Sequence, residues 1–132
     1  MGSHTVTGKA RWRGFTLIEL LVVMSIIGLL LALAAPRYFH TLERSRETML
    51  RQDLSVMREA IDHYFADLQQ YPEDLPALVA KKYMRSVPSD PITRSPETWV
   101  LVASDDPDHP GVRDVHSGAQ TRALDGSEFA SW

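Results

Sequence analysis

A nearly continuous apolar run over residues 15–35 limits what this chain can fold into more than any other feature. The run is 21 residues long and Pro36 follows it directly. As an α-helix rising about 1.5 Å per residue, it would be about 30 Å long, the thickness of the hydrocarbon core of a lipid bilayer. We therefore expect a helix that spans a membrane.

One acidic residue, Glu19, lies near the start of this run. A carboxylate inside a bilayer costs several kcal/mol unless another group neutralises it, so an acid at this position indicates a functional role. The alternative is a side chain that extends to the lipid headgroups and keeps its charge in water.

A short basic leader precedes the apolar run. It contains Lys9, Arg11 and Arg13 and no acid, whereas arginines and glutamates alternate after the run. This difference favours a cytoplasmic N terminus. There are two alternatives: a secretory signal peptide cut after residues 32–34 (Ala-Leu-Ala), and a plain membrane anchor. The run is longer than the apolar core of a signal peptide and contains an acid, which counts against the first.

The helical pattern continues beyond Pro36. From Tyr38 to Leu68, apolar residues recur mostly every three or four positions with charged residues between them, which indicates one amphipathic helix. No glycine or proline interrupts residues 37–71. Tyr71 precedes a proline and should end the helix, while Pro36 should kink it without ending it.

The rest of the chain contains short predicted elements joined by loops. They are a second helix from residue 73 or 74 to about 83, and strands at 99–103, 112–116 and 128–132. The connections are too short for parallel crossovers, so the strands should be antiparallel. Such a small sheet needs the apolar stripe of the long helix for stability. The predicted fold class is α+β.

Charge and composition argue against several functions. Without the three basic residues of the leader, 11 Lys and Arg remain against 17 Asp and Glu, a formal charge of −6. A nucleic-acid-binding surface needs clustered basic residues. The chain has no cysteine and so no disulfide or thiolate site. Asp114, His116 and Ser117 should not form a hydrolase triad, because strand neighbours point to opposite faces. We expect no enzymatic activity.

The residues around the start of the apolar run resemble the N-terminal signal of type IV pilins and of type II secretion pseudopilins. A basic leader ends at Gly14, and Phe-Thr-Leu-Ile-Glu begins at Phe15. Counted from Phe15, Glu19, Gly28 and Pro36 fall at positions five, fourteen and twenty-two, which the family marks. The resemblance implies that a prepilin peptidase cuts between Gly14 and Phe15 and methylates the new amino terminus.

Later segments are similar to the major pseudopilin of type II secretion. They are Tyr71-Pro72 with the leucines at 75 and 78, residues 87–91, residues 114–118, residues 125–127 and the tryptophan at 132. The resemblance implies three parts: a leader (1–14), a transmembrane and assembly helix (15–36) and a periplasmic head (37–132). A type IV pilus subunit is the alternative, and a membrane-anchored periplasmic enzyme is a weaker one.

The resemblance also implies partners and a location. The chain would be a single-pass protein of the bacterial inner membrane, with a cytoplasmic N terminus and a periplasmic head. It would polymerise into a helical filament together with minor pseudopilins, on an inner-membrane secretion platform. In that filament, Glu19 of one subunit would neutralise the amine at Phe15 of the next, and the segment between Gly28 and Pro36 would melt.

A calcium site in the C-terminal loop is the last implication of the resemblance. Calcium takes carboxylate, hydroxyl and backbone carbonyl oxygens. The candidate ligands are Asp114, Ser117, Leu124 through its carbonyl, Asp125 and Ser127. For Asp125 and Ser127 the alternative is an ordinary turn without a metal, because Asp-Gly-Ser is a common turn sequence.

Overall fold

The computed structural model describes residues 1–3, 8 and 13–132, so Lys9, Arg11 and most of the predicted leader lie outside the described residues. The chain divides into two compact units, Met1–Tyr38 and Phe39–Trp132. Its elements are α1 (Leu17–Leu68), α2 (Leu75–Ala80), β1 (Val100–Ala103), β2 (Val112–His116) and a 3₁₀ turn at Phe129–Ser131. The α+β class predicted from the sequence is confirmed.

The beginning of α1 is set by Thr16. Its hydroxyl accepts a hydrogen bond from the backbone N–H of Glu19 at 3.2 Å, and its carbonyl accepts one from the N–H of Leu20 at 3.1 Å. Threonine followed three residues later by glutamate is the spacing of a capping box, which satisfies N–H groups that the first helical turn leaves unpaired. The helix therefore starts two residues after Phe15.

The first half of α1 is apolar and exposed. Its most apolar window of 18 residues has a mean hydropathy of 2.7, and none of that window is buried. Length and composition are sufficient for this helix to cross a membrane. Pro36 lies inside the helix, so the prediction that this proline does not end it is confirmed.

The core of the second unit forms around the amphipathic half of α1. Six residues of this helix are buried on one side: Leu50, Leu54, Met57, Ala60, Ile61 and Tyr64. They join one apolar cluster with residues of the other elements, namely Leu75, Leu78, Trp99, Val112, Val115 and Phe129. The expectation that the sheet packs on the apolar stripe of the long helix is confirmed, since β2 contributes two of these residues.

The sheet consists of β1 and β2, which pair antiparallel as predicted. Leu101 lies opposite Val115, and the register shifts between Val102 and Ala103. The observed β2 coincides with the predicted strand, and β1 begins one residue later than predicted.

Three predicted boundaries differ from the structure. Helix α1 ends at Leu68, before the expected Tyr71, because Gln69 adopts a left-handed conformation with φ of 54°. Helix α2 is capped by Asp74, whose carboxylate accepts a hydrogen bond from Ala77 N at 2.9 Å. It ends at Ala80, shortly before Lys82, which also has a positive φ. A left-handed residue cannot continue a right-handed helix.

The prediction of a third strand over residues 128–132 is wrong. Ser131 donates hydrogen bonds from both its backbone N–H and its hydroxyl to the carbonyl of Glu128, which closes a 3₁₀ turn. The turn buries the Phe129 ring in the core. Sheet-like pairing in this region is limited to an isolated bridge between Arg122 and Glu128.

The partly buried Asp53 and the buried Asp90 should make stability depend on pH. Partial burial raises the pKa of Asp53, and repulsion from Asp90 raises it further. A carboxyl with a higher pKa in the folded state binds its proton more tightly there. Its contribution to stability is therefore lost as pH rises from the ordinary value of 3.8 through the raised pKa.

We expect Asp53→Asn to raise the thermal midpoint at pH 7, because the unfavourable charge is removed. The gain should shrink toward pH 3, where the native carboxyl is protonated. Near-ultraviolet circular dichroism across this pH range measures both effects. Asp62→Asn, which alters an exposed acid of the same helix, is the control. Equal midpoints for Asp53→Asn and the unaltered protein at pH 7 would contradict the prediction.

Candidate functional site

The predicted cleavage site lies in a short non-helical segment, residues 13–16, directly before α1. Gly14 and Phe15 are exposed, and Phe15 keeps 81% of its surface accessible. A Cβ atom added to Gly14 would meet no heavy atom within 4 Å. The unit's own packing therefore does not require glycine here. A requirement for glycine at this position would have to come from a partner that handles the exposed backbone.

Glu19 lies in the first turn of α1, on the exposed surface. With Arg13, Gly14, Phe15 and Thr16 it surrounds an open depression of about 470 Å³. Within the described part of the chain, its carboxylate has no hydrogen bond or ion pair, and only its backbone N–H is bonded, to Thr16. The positive end of the helix dipole favours an acid here. A full countercharge must come from elsewhere once this turn enters an apolar environment.

Gly28 and Pro36, the other predicted assembly residues, both lie within α1. A Cβ atom at Gly28 would meet nothing within 4 Å, and glycine costs a helix about 1 kcal/mol relative to alanine. Pro36 removes one backbone donor. The residues between them are helical in this structure, and melting on assembly stays a prediction.

The five candidate calcium ligands have separate partners. Asp114 accepts a hydrogen bond from Arg58 Nε at 2.7 Å through Oδ1. Ser117 is fully buried, and its hydroxyl donates to the carboxylate of Asp90. The remaining three, Leu124, Asp125 and Ser127, belong to one exposed turn.

That turn is closed by its own side chains. Asp125 Oδ1 accepts hydrogen bonds from Ser127 N at 2.9 Å and Ser127 Oγ at 2.6 Å. These bonds lower the pKa of Asp125. Ser127 Oγ also accepts a bond from Trp132 Nε1 at 2.8 Å, and Glu47 on α1 accepts one from Leu124 N at 2.6 Å. The arrangement agrees with the turn alternative.

This arrangement does not fit a calcium ion. Calcium needs about six to eight oxygen ligands around one point. Across residues 1–3, 8 and 13–132, no three histidine or acidic side chains are grouped so that they could hold a metal. A guanidinium already contacts Asp114, which was one of the two candidate carboxylates. The predicted ligand set is therefore not assembled here, and calcium binding stays a prediction.

The residues that resembled a catalytic triad also have separate partners. Ser117 is bonded to Asp90, while His116 Nδ1 lies 2.6 Å from the main-chain oxygen of Trp132. His116 Nε2 and Asp114 Oδ2 are 3.6 Å apart. The hydroxyl that would have to act as nucleophile is inside the core, bonded to a carboxylate instead of to the imidazole.

Two positions that matter to these sites were missed by sequence reasoning. Arg58 contacts Asp114, Val115 and Trp132 together, but its place among the charged residues of an amphipathic helix does not distinguish it. Thr16, in contrast, could have been found. Threonine three residues before glutamate, at the start of an apolar run, is a recognisable signal for the beginning of a helix.

Comparison with known families identifies the N-terminal segment. The family described as "Prokaryotic N-terminal methylation motif" matches residues 13–35. The matched segment contains the predicted cleavage site, Glu19 and Gly28, and it ends one residue before Pro36.

Individual relatives extend the similarity beyond this motif. The type II secretion system core protein G of Klebsiella pneumoniae is 33% identical over 97 residues, covering 61% of this chain and 69% of that protein. The protein of the same name from Pectobacterium carotovorum is also 33% identical over 97 residues, and the match covers 62% of its length. The type IV major fimbrial protein FimA of Dichelobacter nodosus is 41% identical over 59 residues, covering 45% of this chain and 38% of FimA.

Among these three relatives, the similarity extends further in the secretion proteins than in FimA. The chain spans less than two thirds of the length of the Pectobacterium protein. No solved structure matches this chain.

Proposed function

The chain belongs to the family of type II secretion system core protein G, a branch of the type IV pilin-like proteins, and from this we propose that it is a structural subunit of a type II secretion pseudopilus. The single observation that carries the proposal is the acidic residue Glu19 in the exposed apolar half of α1, where a charge is unfavourable. A filament built from these helices supplies both the apolar surroundings and the countercharge.

Processing is the first step of the proposed function. A prepilin peptidase would cut the exposed bond between Gly14 and Phe15 and methylate the new amine on Phe15. The non-helical backbone at residues 13–16 supports this step, since a peptidase needs an extended, accessible strand. The methylation motif match over residues 13–35 supports it as well.

We expect Gly14→Val to block processing almost completely, because a branched side chain would occupy the space that the peptidase needs at the cut. Co-expression with a prepilin peptidase and intact-mass measurement checks this. The processed chain lacks residues 1–14 and carries one additional methyl group. Gly8→Val, at a second glycine of the leader whose Cβ would also meet nothing within 4 Å, should be processed normally. Normal cleavage of Gly14→Val would contradict the prediction.

Anchoring precedes assembly in this proposal. The apolar half of α1 would cross the bacterial inner membrane, with the basic leader in the cytoplasm and the head in the periplasm. Three basic residues before the run, Lys9, Arg11 and Arg13, support this orientation. Among the described residues, one helix is long and apolar enough to cross a membrane, which supports one crossing.

Charge pairing would then drive polymerisation. Cleavage creates a positive amine at Phe15, four residues before Glu19. Within one subunit, Phe15 lies before α1 and Glu19 lies in the first turn of the helix. Between neighbouring subunits, Glu19 of one helix and the amine of the next can meet in the apolar filament core. Burying the two charges as a pair costs less than burying either charge alone.

The resulting filament would support secretion on an inner-membrane platform, together with minor pseudopilins. A type IV pilus subunit is the second candidate, favoured by the 41% identity to the fimbrial protein of Dichelobacter nodosus. That match covers 45% of this chain against 61% for the secretion proteins. The longer similarity favours secretion.

Disruption of the gene in its source bacterium tests the function. We expect exported enzymes to accumulate in the periplasm and to disappear from the culture medium, while surface fibres and twitching motility remain. A plasmid copy of the gene should restore secretion. Normal secretion with lost fibres or motility would instead assign the chain to a type IV pilus.

A further inference from the structure

We propose that Arg58 is a built-in cation that organises the C-terminal loop, so that the head attains its fold without a bound metal ion. The proposal concerns the head alone, and it stands whether the filament serves secretion or motility.

Arg58 brings together three oxygen atoms from distant parts of the chain. Its Nε donates to Asp114 Oδ1 at 2.7 Å. Its NH2 group donates to the carbonyl of Val115 at 2.9 Å and to the main-chain oxygen of Trp132 at 2.5 Å. Two of these oxygens belong to β2, and the third follows the 3₁₀ turn. One side chain of α1 therefore fixes both C-terminal segments.

The three atoms are ligands of the kind that a hard cation takes: one carboxylate oxygen and two main-chain oxygens. Here a guanidinium holds them. Its charge is permanent, and its planar fork of N–H donors can serve several oxygens at fixed angles. The side chains of Arg58 and Asp114 are only 36% and 34% exposed, so water screens this ion pair less than a surface pair.

The guanidinium and a calcium ion exclude each other at Asp114. Asp114 Oδ1 already accepts a second hydrogen bond, from its neighbour Val115 N at 2.7 Å. A divalent cation on this atom would lie within about 5 Å of the guanidinium, where two positive charges repel strongly in a partly buried site. Binding calcium at Asp114 Oδ1 would therefore require Arg58 to leave this oxygen.

The contacts of Trp132 show which groups Arg58 holds in place. Its main-chain oxygen is held by Arg58, and its indole N–H donates to Ser127 at 2.8 Å. The guanidinium of Arg51 lies 3.9 Å from the centre of the indole ring, and the ring of Phe129 packs edge-on at 5.0 Å. Arg58 thus connects the turn at 125–127 to α1 through Trp132.

The test measures the thermal midpoint of the full chain in detergent, from the near-ultraviolet circular dichroism of its tryptophans. For the unaltered protein, calcium chloride and EDTA should give midpoints within about 1 °C of each other. Arg58→Ala should lower the midpoint by more than about 5 °C in either solution, since a charged hydrogen-bond network is lost. Arg58→Lys keeps the charge but loses the planar fork, so its midpoint should lie above that of Arg58→Ala and clearly below that of the Arg113→Ala control.

Arg113→Ala is the matched control. Arg113 lies next to Asp114 on β2 and forms an exposed ion pair with Asp105 at 3.2 Å, so its loss should change the midpoint by less than about 2 °C. If Arg58→Ala does not fold, the thermal midpoints of Arg58→Lys and Arg113→Ala are compared instead, and they test the proposal.

Two results would overturn the proposal. One is a fall of several degrees in the midpoint of the unaltered protein when EDTA replaces calcium, or saturable one-to-one calcium binding by calorimetric titration. The other is an Arg58→Lys or Arg58→Ala variant as stable as the Arg113→Ala control.

Discussion

Replacing Glu19 by alanine is expected to leave processing between Gly14 and Phe15 intact and to abolish filament formation. The peptidase acts on the exposed segment before the helix, which the substitution does not touch. Assembly, in contrast, would have to bury the amine of Phe15 without a countercharge, at a cost of several kcal/mol per subunit. A penalty repeated at every subunit should reduce filaments below detection.

The measurement combines intact mass, which reports cleavage and methylation, with electron microscopy of filaments from cells that overproduce the chain. Glu19→Gln is the sharper variant, since glutamine has nearly the same size without the charge and keeps the backbone N–H that bonds Thr16. Failure of both variants assigns the effect to charge. Glu43→Ala, which removes an exposed acid of the same helix with a local partner in Arg46 at 3.0 Å, should assemble normally. Normal filaments from Glu19→Gln would disprove the pairing.

The substitution Gly118→Ala is expected to destabilise the head by about 3 kcal/mol or more. An added Cβ atom would lie 2.0 Å from the carbonyl oxygen of Thr98 and 3.1 Å from its carbonyl carbon. Both are backbone atoms, so no side-chain rotation relieves the overlap. The two segments must separate, and this disturbs the buried hydrogen bond between the neighbouring Ser117 and Asp90.

Thermal unfolding of the full chain in detergent tests this, with an expected loss of more than about 10 °C in the midpoint. Gly126→Ala is the comparison. Gly126 has a φ of 86° but open space around its Cβ position, so alanine there costs about 1 kcal/mol of backbone strain and no steric overlap. A Gly118→Ala variant no less stable than Gly126→Ala would show that the segments separate easily.

Patterns contained within neighbouring residues predicted the structure well. The helical period through Pro36 predicted one long helix, and the strand predicted over residues 112–116 has the observed bounds of β2. The wrong predictions concern places where the conformation or hydrogen bonds of one residue determine the local structure. The left-handed Gln69 ended α1 early, and the hydrogen bonds of Ser131 turned a strand-like segment into a 3₁₀ turn. Neither has a distinctive sequence signal.

The two candidate sites also differ in how far their residues lie from one another along the chain. The cleavage segment, Glu19 and the cap of Thr16 lie within a few residues of one another, so their arrangement follows from helix geometry. The C-terminal loop depends on Arg58, which is 56 residues from Asp114 and 74 from Trp132 along the chain. Only the folded core brings these groups together. The resemblance implied a metal ion in this loop, and the structure places the guanidinium of Arg58 on one of the candidate ligands, Asp114.

The hydroxyl that starts α1 belongs to Thr16, on the retained side of the proposed cut. Removal of the leader therefore leaves the helix cap and the first backbone hydrogen bonds in place. Maturation would change the charge of the subunit without refolding its first turn. The first turn of α1 would be the same in the membrane-anchored precursor and in the mature subunit. The two forms would differ in the leader and in the new amine on Phe15. Cleavage by the peptidase would then determine when assembly can begin, because it creates the amine that pairs with Glu19.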